Sequence, residues 1–332
     1  MVHFPFSLKD PVRFPGPPPA AADVVVIGGG VIGVTTALYL ADAGQKVVLL
    51  EKGRIAAEQS SRNWGWIRQQ GRDPDELPIM QASRLRWQEL ARRTPVDFGL
   101  RPGGVTYIAK SHKQMAAFAG WLPHAEALEI DSHLMDGPGV RRAFPGITGQ
   151  IEGALHTPSD MRAEPWLAVP ALADIARNAG AELVEGCAVR CLDIEAGRVA
   201  GVVTEAGRIR ASQVVLAGGA WSALFLRNHG VSIPQLSVRE SVMATHPLPE
   251  ITKGAAAWGK VAFRRRVDGG YTLAPGSRAE LFIGPDAFRA LPKYLPQLRV
   301  SPFGQSYHPA APEGFPDAAH ATTLERGRPQ PL

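Results

Sequence analysis

Three short, uninterrupted apolar runs punctuate the chain, and the stretch between the first two carries helical spacing. Val24, Val25, Val26 and Ile27 form the first run, the length of a parallel strand buried on both faces and too short for a helix. From Val31 to Ala43 the apolar positions follow a helix, with Ile32, Ala37, Leu38, Leu40 and Ala41 for its buried side. Gly44 suits the left-handed residue that ends it. Lys46 to Leu50 is a second buried strand, closed by Glu51. Farther on, Leu77 to Arg93 predicts a helix with Ile79, Met80, Leu85, Leu90 and Ala91 on one side and Thr94-Pro95 as its stop. Leu100 to Ala109 reads as a strand around Gly103-Gly104, and Ser111 to Phe144 as helical in part. Ala168 to Ala179 reads as a helix, with Pro170 in its first turn and Gly180 past its end. Glu182 to Ile194 alternates as a strand, and Arg198 to Thr204 with Arg208 to Arg210 makes a hairpin. Val214 to Ala217 is the third buried run, stopping at Gly218-Gly219.

The first strand stops where glycines begin, and those glycines give the chain its first chemistry. Gly28, Gly30 and Gly33 stand in G-x-G-x-x-G spacing. The first allows a tight turn, the second lets a pyrophosphate reach the backbone, and the third lets the helix lie close on the strand. Free N–H groups and the positive end of the helix dipole then favour an anion. Glu51 follows Gly33 by 18 residues, where a carboxylate accepts hydrogen bonds from both ribose hydroxyls and selects against a 2′-phosphate. Strand, turn, helix, strand and acid in that order point to a dinucleotide, with NAD and FAD both open and NADP disfavoured.

With 332 residues, 45% of them hydrophobic, the chain is long enough for two domains. A net charge of +5 without a long one-sign block argues against nucleic acid and suits an anionic small substrate. The Arg264 to Arg266 run reads as an exposed strand edge without a role. Cys187 and Cys191 sit four positions apart in a segment read as a strand, about 13 Å, too far for a disulfide. A reducing, cytoplasmic compartment is expected, with peripheral attachment to the inner face of a membrane left open. Residues 1–22 read as a loose arm, not a signal peptide. The nine histidines show no ligand spacing, so no metal is expected, and His156 reads as structural. No G-x-S-x-G element is present, which removes the usual hydrolase reading.

Three motifs in order resemble the FAD-dependent D-amino acid oxidase superfamily, particularly bacterial amino acid dehydrogenases and sarcosine oxidase-like members. They are VVVIGGGVIG with Glu51, SSRNWG at Ser60 to Gly65, and GVVTEAGRIRASQVVLAGGAWS from Gly201 to Ser222. The resemblance covers about Asp23 to Gly284. It implies an α/β fold: a Rossmann-like FAD-binding domain with an inserted α+β substrate domain built on a mostly antiparallel sheet. The expected segments are an arm at 1–22, FAD-binding parts at 23–66 and 155–230, substrate-domain parts at 67–154 and 231–300, and an aberrant or disordered tail at 301–332. By the same likeness FAD is held by Gly28, Gly30, Val31, Ile32, Gly33, Glu51, Lys52, Ser60, Ser61, Arg62, Asn63, Gly65, Val189, Ala217, Gly218, Gly219 and Trp221.

The implied reaction oxidises the C–N bond of an amino acid or secondary amine, giving an imine that hydrolyses to a keto acid. It calls for a carboxylate-binding arginine and a tyrosine hydroxyl, for which Arg68, Arg239 and Tyr271 are the candidates. Oxygen or a quinone is the expected electron acceptor. Beyond about Val300 the family pattern is lost where another glycine-rich strand-turn-helix is expected, and the chain reads as C-terminally truncated. Two rival readings stand beside this one: a non-catalytic or partner-dependent flavoprotein subunit, and an NAD-dependent dehydrogenase. The hairpin inserted before Val214 argues against the second.

Overall fold

The computed structural model describes residues 6–275, 279–300, 305–312 and 315–316. The chain opens with β1 (Val24–Ile27), α1 (Val31–Asp42), β2 (Val47–Glu51), the single turn α2 (Gln59–Arg62) and β3 (Trp66–Ile67). It continues through α3 (Leu77–Arg92), β4 (Arg101–Pro102), β5 (Val105–Ala109), α4 (His112–Glu126), β6 (His133–Asp136) and α5 (Gly137–Ala143). Next come β7 (Gly153–Thr157), β8 (Met161–Arg162), α6 (Pro165–Asn178), β9 (Glu182–Glu185), β10 (Val189–Glu195), β11 (Arg198–Thr204), β12 (Gly207–Arg210) and β13 (Gln213–Leu216). The last part holds α7 (Ser222–Arg227), β14 (Val238–Arg239), β15 (Met243–Ala244), β16 (Ala255–Trp258), β17 (Val261–Arg265), β18 (Tyr271–Pro275), β19 (Ala279–Phe282), α8 (Pro285–Val300) and β20 (Gln305–His308).

Two compact units divide these elements. The first comprises Met1–Ser61, Val169–Glu240 and Arg278–Leu332. Its centre is a parallel sheet of order β13-β1-β2-β9. Every residue of β1 is buried because neighbours cover both its edges and both its faces. The order places β1 between β2 and β13, so its carboxyl end is a switch point of the sheet, where open α/β folds bind ligands. Val25, Ile27, Val48, Leu50, Val202, Ile209 and Phe225 form one core joining this sheet to the antiparallel ribbon β10-β11-β12. Full burial of side chains of this size stabilises by about 1.5–3 kcal/mol each.

The second unit comprises Arg62–Ala168 and Ser241–Ser277. It is built on a seven-stranded sheet of order β15-β18-β17-β16-β5-β7-β6, antiparallel throughout except for the β5–β16 pair. Beneath it Ile108, Val140, Phe144, Ala154 and Ala256 make a separate core. A three-stranded patch of order β3-β8-β4 completes the unit's sheets among the described residues. A Rossmann-like sheet with a mostly antiparallel α+β insertion is the architecture the sequence implies.

Several local expectations change. Residues 155–168 group with the second unit because β7 and β8 pair only with its strands. Residues 278–300 group with the first, where β19 pairs β14. Within the expected tail, β20 adds to β19 in parallel, so 305–308 is a strand and not disordered; residues 301–304, 313–314 and 317–332 lie outside those described. Residues 6–22 of the expected arm are not loose, since Phe6 and Phe14 are buried and Arg13 pairs with Asp174 at 2.7 Å; residues 1–5 lie outside those described. The α6 helix starts at Pro165, with Glu164 accepting the Ala168 N–H at 2.8 Å, and carries Pro170 inside. On α3 the predicted apolar side is wrong in part: Ile79 and Leu85 are exposed, while Leu77 and Leu90 are buried. Ile32 of α1 likewise faces out, and Val34 takes its place. Both cysteines are free.

Candidate functional site

The turn between β1 and α1 is shaped by what its glycines exclude. Gly28 has φ 110°, and a Cβ there would strike the carbonyl of Ala217 at the end of β13. A Cβ on Gly33 would strike the Gly28 carbonyl, so close helix–strand contact requires glycine. A Cβ on Gly30 would stand 3.1 Å from Ser60 Oγ. Gly30 provides no side-chain cap to α1, and the first turn of α1 carries no acidic residue. Ser60 Oγ accepts the Val31 N–H at 2.9 Å, which gives the turn a hydroxyl beside the helix N-terminus. The helix end thus keeps the character of an anion site.

Glu51 ends β2 against this turn. Its Oε2 accepts the Gly29 N–H at 2.6 Å and its Oε1 the Gly53 N–H at 2.7 Å. Each oxygen retains capacity for a further donor. Burial raises its pKa from the ordinary carboxylate value, and the two backbone N–H groups and Lys52 oppose that rise. Lys52 Nζ lies 3.2 Å from the Trp221 ring centroid and 3.9 Å from Glu58. Val189 is buried at the start of β10. Gly218 and Gly219 lead from β13 into the 3-10 turn Gly219–Trp221. Of the residues expected to hold the cofactor, Gly28, Gly30, Val31, Ile32, Gly33, Glu51, Lys52, Ser60, Ala217, Gly218, Gly219 and Trp221 belong to one unit and lie on the elements around its switch point. Ser61 is fully buried in the same unit, with its hydroxyl turned to the Phe6 carbonyl at 3.4 Å. These groups fit a dinucleotide: a glycine cradle, a helix N-terminus without an acidic residue in its first turn, and an acid placed for hydroxyls.

Arg62, Asn63 and Gly65 belong to the second unit. Asn63 Oδ1 accepts the Gly65 N–H at 2.8 Å, and Gly65, with φ 72°, has no room for a Cβ beside the Ala163 carbonyl and Arg264. Arg264 Nε donates to the Trp64 carbonyl at 2.7 Å, while its other nitrogens clamp Glu164 at 2.9 Å each. Both charged side chains have no solvent exposure. The exposed-edge reading of Arg264 to Arg266 is therefore overturned: β17 lies inside the seven-stranded sheet, Arg264 is paired and buried, and Arg266 is buried against Asp268 at 2.6 Å.

The three catalytic candidates lie one in the first unit and two in the second. Arg239, on β14 of the first unit, is half-exposed and paired with Glu280 at 2.6 Å. Tyr271, on β18 of the second, is buried, and its hydroxyl accepts the Ile251 N–H at 2.7 Å. Arg68 is in the second unit, donates to the Gln70 carbonyl and lies 5.7 Å from the Tyr107 ring centroid. Burial lowers its pKa and raises that of Tyr107. Around Arg68 the structure assembles groups the sequence reading missed. Asp160 accepts the Gln69 N–H at 2.8 Å and the Gln70 N–H at 3.2 Å, and burial pushes its pKa up to about 6. Gln70 Oε1 accepts the Thr157 hydroxyl at 3.0 Å, while its Nε2 is buried with no hydrogen-bond partner. The one available signal was the polar Arg68-Gln69-Gln70 triplet next to a tryptophan-rich loop. His156 is hydrogen-bonded, as expected, with Nδ1 2.9 Å from Thr106 Oγ1. Among the described residues no cluster suits a metal, and no helix is long and apolar enough to cross a membrane.

Residues 23–326 match the family of FAD dependent oxidoreductases, and the chain belongs to it. It is 28% identical over 232 residues to the mitochondrial sarcosine dehydrogenase of Homo sapiens, covering 68% of this chain and 25% of that one. To the D-amino acid dehydrogenase of Rhizobium johnstonii it is 30% identical over 166 residues, 49% of this chain and 40% of that one. The chain therefore spans well under half the length of these curated relatives. Among solved structures it is similar to the L-amino acid deaminase of Proteus vulgaris, with TM-score 0.86 and 27% identity over 96% of this chain and 76% of that one. The deaminase of Proteus myxofaciens in complex with anthranilate gives TM-score 0.84 and 28% identity over 89% and 69%.

Proposed function

We propose that this chain binds FAD at the β1 switch point and oxidises the C–N bond of an amino acid or secondary amine. The observation that carries the reading is the Gly28–Gly33 cradle with the Glu51 carboxylate beside it, on a chain whose relatives are named as amino acid and sarcosine dehydrogenases. In this reading the N-terminus of α1, with Gly30 and Val31, holds the pyrophosphate. Glu51 takes the ribose hydroxyls through the lone pairs that its two backbone donors leave. When bound, FAD supplies the hydride acceptor.

The remaining work falls to the second unit. The substrate enters as a neutral amine, loses a hydride from its α-carbon and a proton from nitrogen, and leaves as an imine that water hydrolyses to a keto acid and ammonia or an amine. Arg68 is the cation we assign to the substrate carboxylate. Its guanidinium is desolvated, which strengthens a bidentate pair with an incoming anion. The Gln70 amide is the neighbouring donor with an unused N–H. Arg239 and Tyr271 are assigned structural roles, their polar groups being satisfied by Glu280 and by Ile251 and Pro249. The electron acceptor is oxygen or a quinone.

The visible spectrum of desalted protein after incubation with FAD tests the cofactor. Retained flavin bands, bleached anaerobically by one of a panel of D-, L- and N-methyl amino acids, are expected. A colourless protein refutes the cofactor assignment; a flavin that stays oxidised with the whole panel refutes the reaction.

A further inference from the structure

Two side chains that flank the glycine turn meet across it. Lys52 follows the last residue of β2, and Trp221 closes the 3-10 turn after β13. Since β2 and β13 flank β1 on opposite sides, both loops leave the carboxyl edge of the sheet with the Gly28–Gly30 turn between them. The Lys52 ammonium nevertheless sits 3.2 Å from the Trp221 ring centroid. The ammonium also stands 3.9 Å from Glu58, and its side chain keeps part of its surface exposed; burial of the rest is the main influence on it, lowering its pKa, and a cation–ring contact strengthens with such desolvation. The two halves differ in freedom. The indole stands on a short turn that follows Gly218-Gly219, whereas the lysine reaches it on a four-carbon stem.

We propose that Lys52 and Trp221 form a clasp across the mouth of the dinucleotide crevice, closing over the bound cofactor and slowing its escape. The proposal rests on the assignment of FAD to the β1 turn. A ligand lying on that turn occupies the space between the two loops, and a contact joining them lies across its way out. The lysine is the moving part: letting go of the indole opens the crevice without disturbing the sheet.

Release of FAD from reconstituted protein, followed by the return of free-flavin fluorescence after dilution into an FAD scavenger, tests this. The set is wild type, Lys52→Met, Trp221→Leu, the double variant, and the conservative Lys52→Arg and Trp221→Phe. Each disruptive single variant is expected to release FAD about tenfold faster, while Arg and Phe, which keep a cation and an aromatic face, stay within about twofold. The double variant is expected to be no faster than the worse single one, since both remove the same contact. Ligand-free melting temperatures are expected within about 2 °C of wild type, because both positions lie near the surface. Release at the wild-type rate from the disruptive variants, or additive losses in the double variant, overturns the clasp while leaving the cofactor assignment standing. A wild-type protein that takes up no FAD overturns that assignment and the clasp with it.

Discussion

Glu51 serves the fold and the ligand with the same two oxygens. It holds Gly29 and Gly53 by their N–H groups, so the residue that would receive the ribose also fixes the shape of the turn that receives the phosphates. Glu51→Gln sets an amide donor against one of those backbone donors. It is expected to cost about 1–3 kcal/mol of stability, as an unmatched buried polar group does, and to weaken FAD binding at least about tenfold. Urea denaturation and flavin titration measure the two effects. Asp160 makes a second residue-scale prediction, in pH. Its pKa is raised to about 6 by burial, above its unfolded value, so its contribution favours the folded state most when it is protonated. That contribution is complete below about pH 4 and is lost as pH rises through about 6, a change of up to about 3 kcal/mol. Comparing wild type with Asp160→Asn by denaturation from pH 4 to 8 isolates it, because other groups cancel. A difference that does not vary over that window removes Asp160 as its source.

At the scale of elements, β1, α1 and β2 were legible because three signals agreed: an unbroken apolar run, glycines at fixed offsets and a terminal acid. The structure copies them almost residue for residue, at Val24–Ile27, Val31–Asp42 and Val47–Glu51. The middle of the second unit was opaque for an equally physical reason. Three consecutive arginines read as a solvated edge, yet hydropathy cannot show that Arg264 is neutralised by Glu164, 100 residues earlier in the chain. The two-residue strands β3 and β8 were hidden likewise, since two positions carry no periodicity and only their pairing defines them. Arg264 joins three elements: it grips Glu164 ahead of α6, the Trp64 carbonyl ahead of β3, and Thr272 on β18 at 3.3 Å. Glu164 also has Arg162 3.7 Å away, so removing Arg264 leaves the buried carboxylate one distant counter-charge in place of a bidentate partner, a loss of up to about 3–5 kcal/mol that neutralising Glu164 as well reduces. Arg264→Met is therefore expected to melt well below wild type, and the added Glu164→Gln to recover much of the loss. Recovery is the discriminating result, and a double variant as unstable as the two single losses summed would show that the pair is not coupled.

Across the whole molecule, the order of segments constrains how the protein responds to its ligand. The second unit consists of Arg62–Ala168 and Ser241–Ser277, and each segment is anchored at both ends in the first unit. Unfolding the first unit converts those anchors into long loops, raising the entropic cost of keeping the second unit folded. A ligand whose glycine cradle lies in the first unit is therefore expected to stabilise both. FAD at 100 times its Kd adds about 2.7 kcal/mol to the folded state, which for a chain of this length raises the melting temperature by about 4 °C. Scanning calorimetry is expected to show one transition that moves as a whole. Two transitions of which only one moves would mean that the segments fold independently despite their shared anchors. NADP supplies the matching control. Its 2′-phosphate would come against the Glu51 carboxylate, where like charges repel and the oxygens already take two donors. No shift is expected with NADP at any concentration where FAD gives one, and an equal shift would separate Glu51 from the ribose and leave it only its role in the turn.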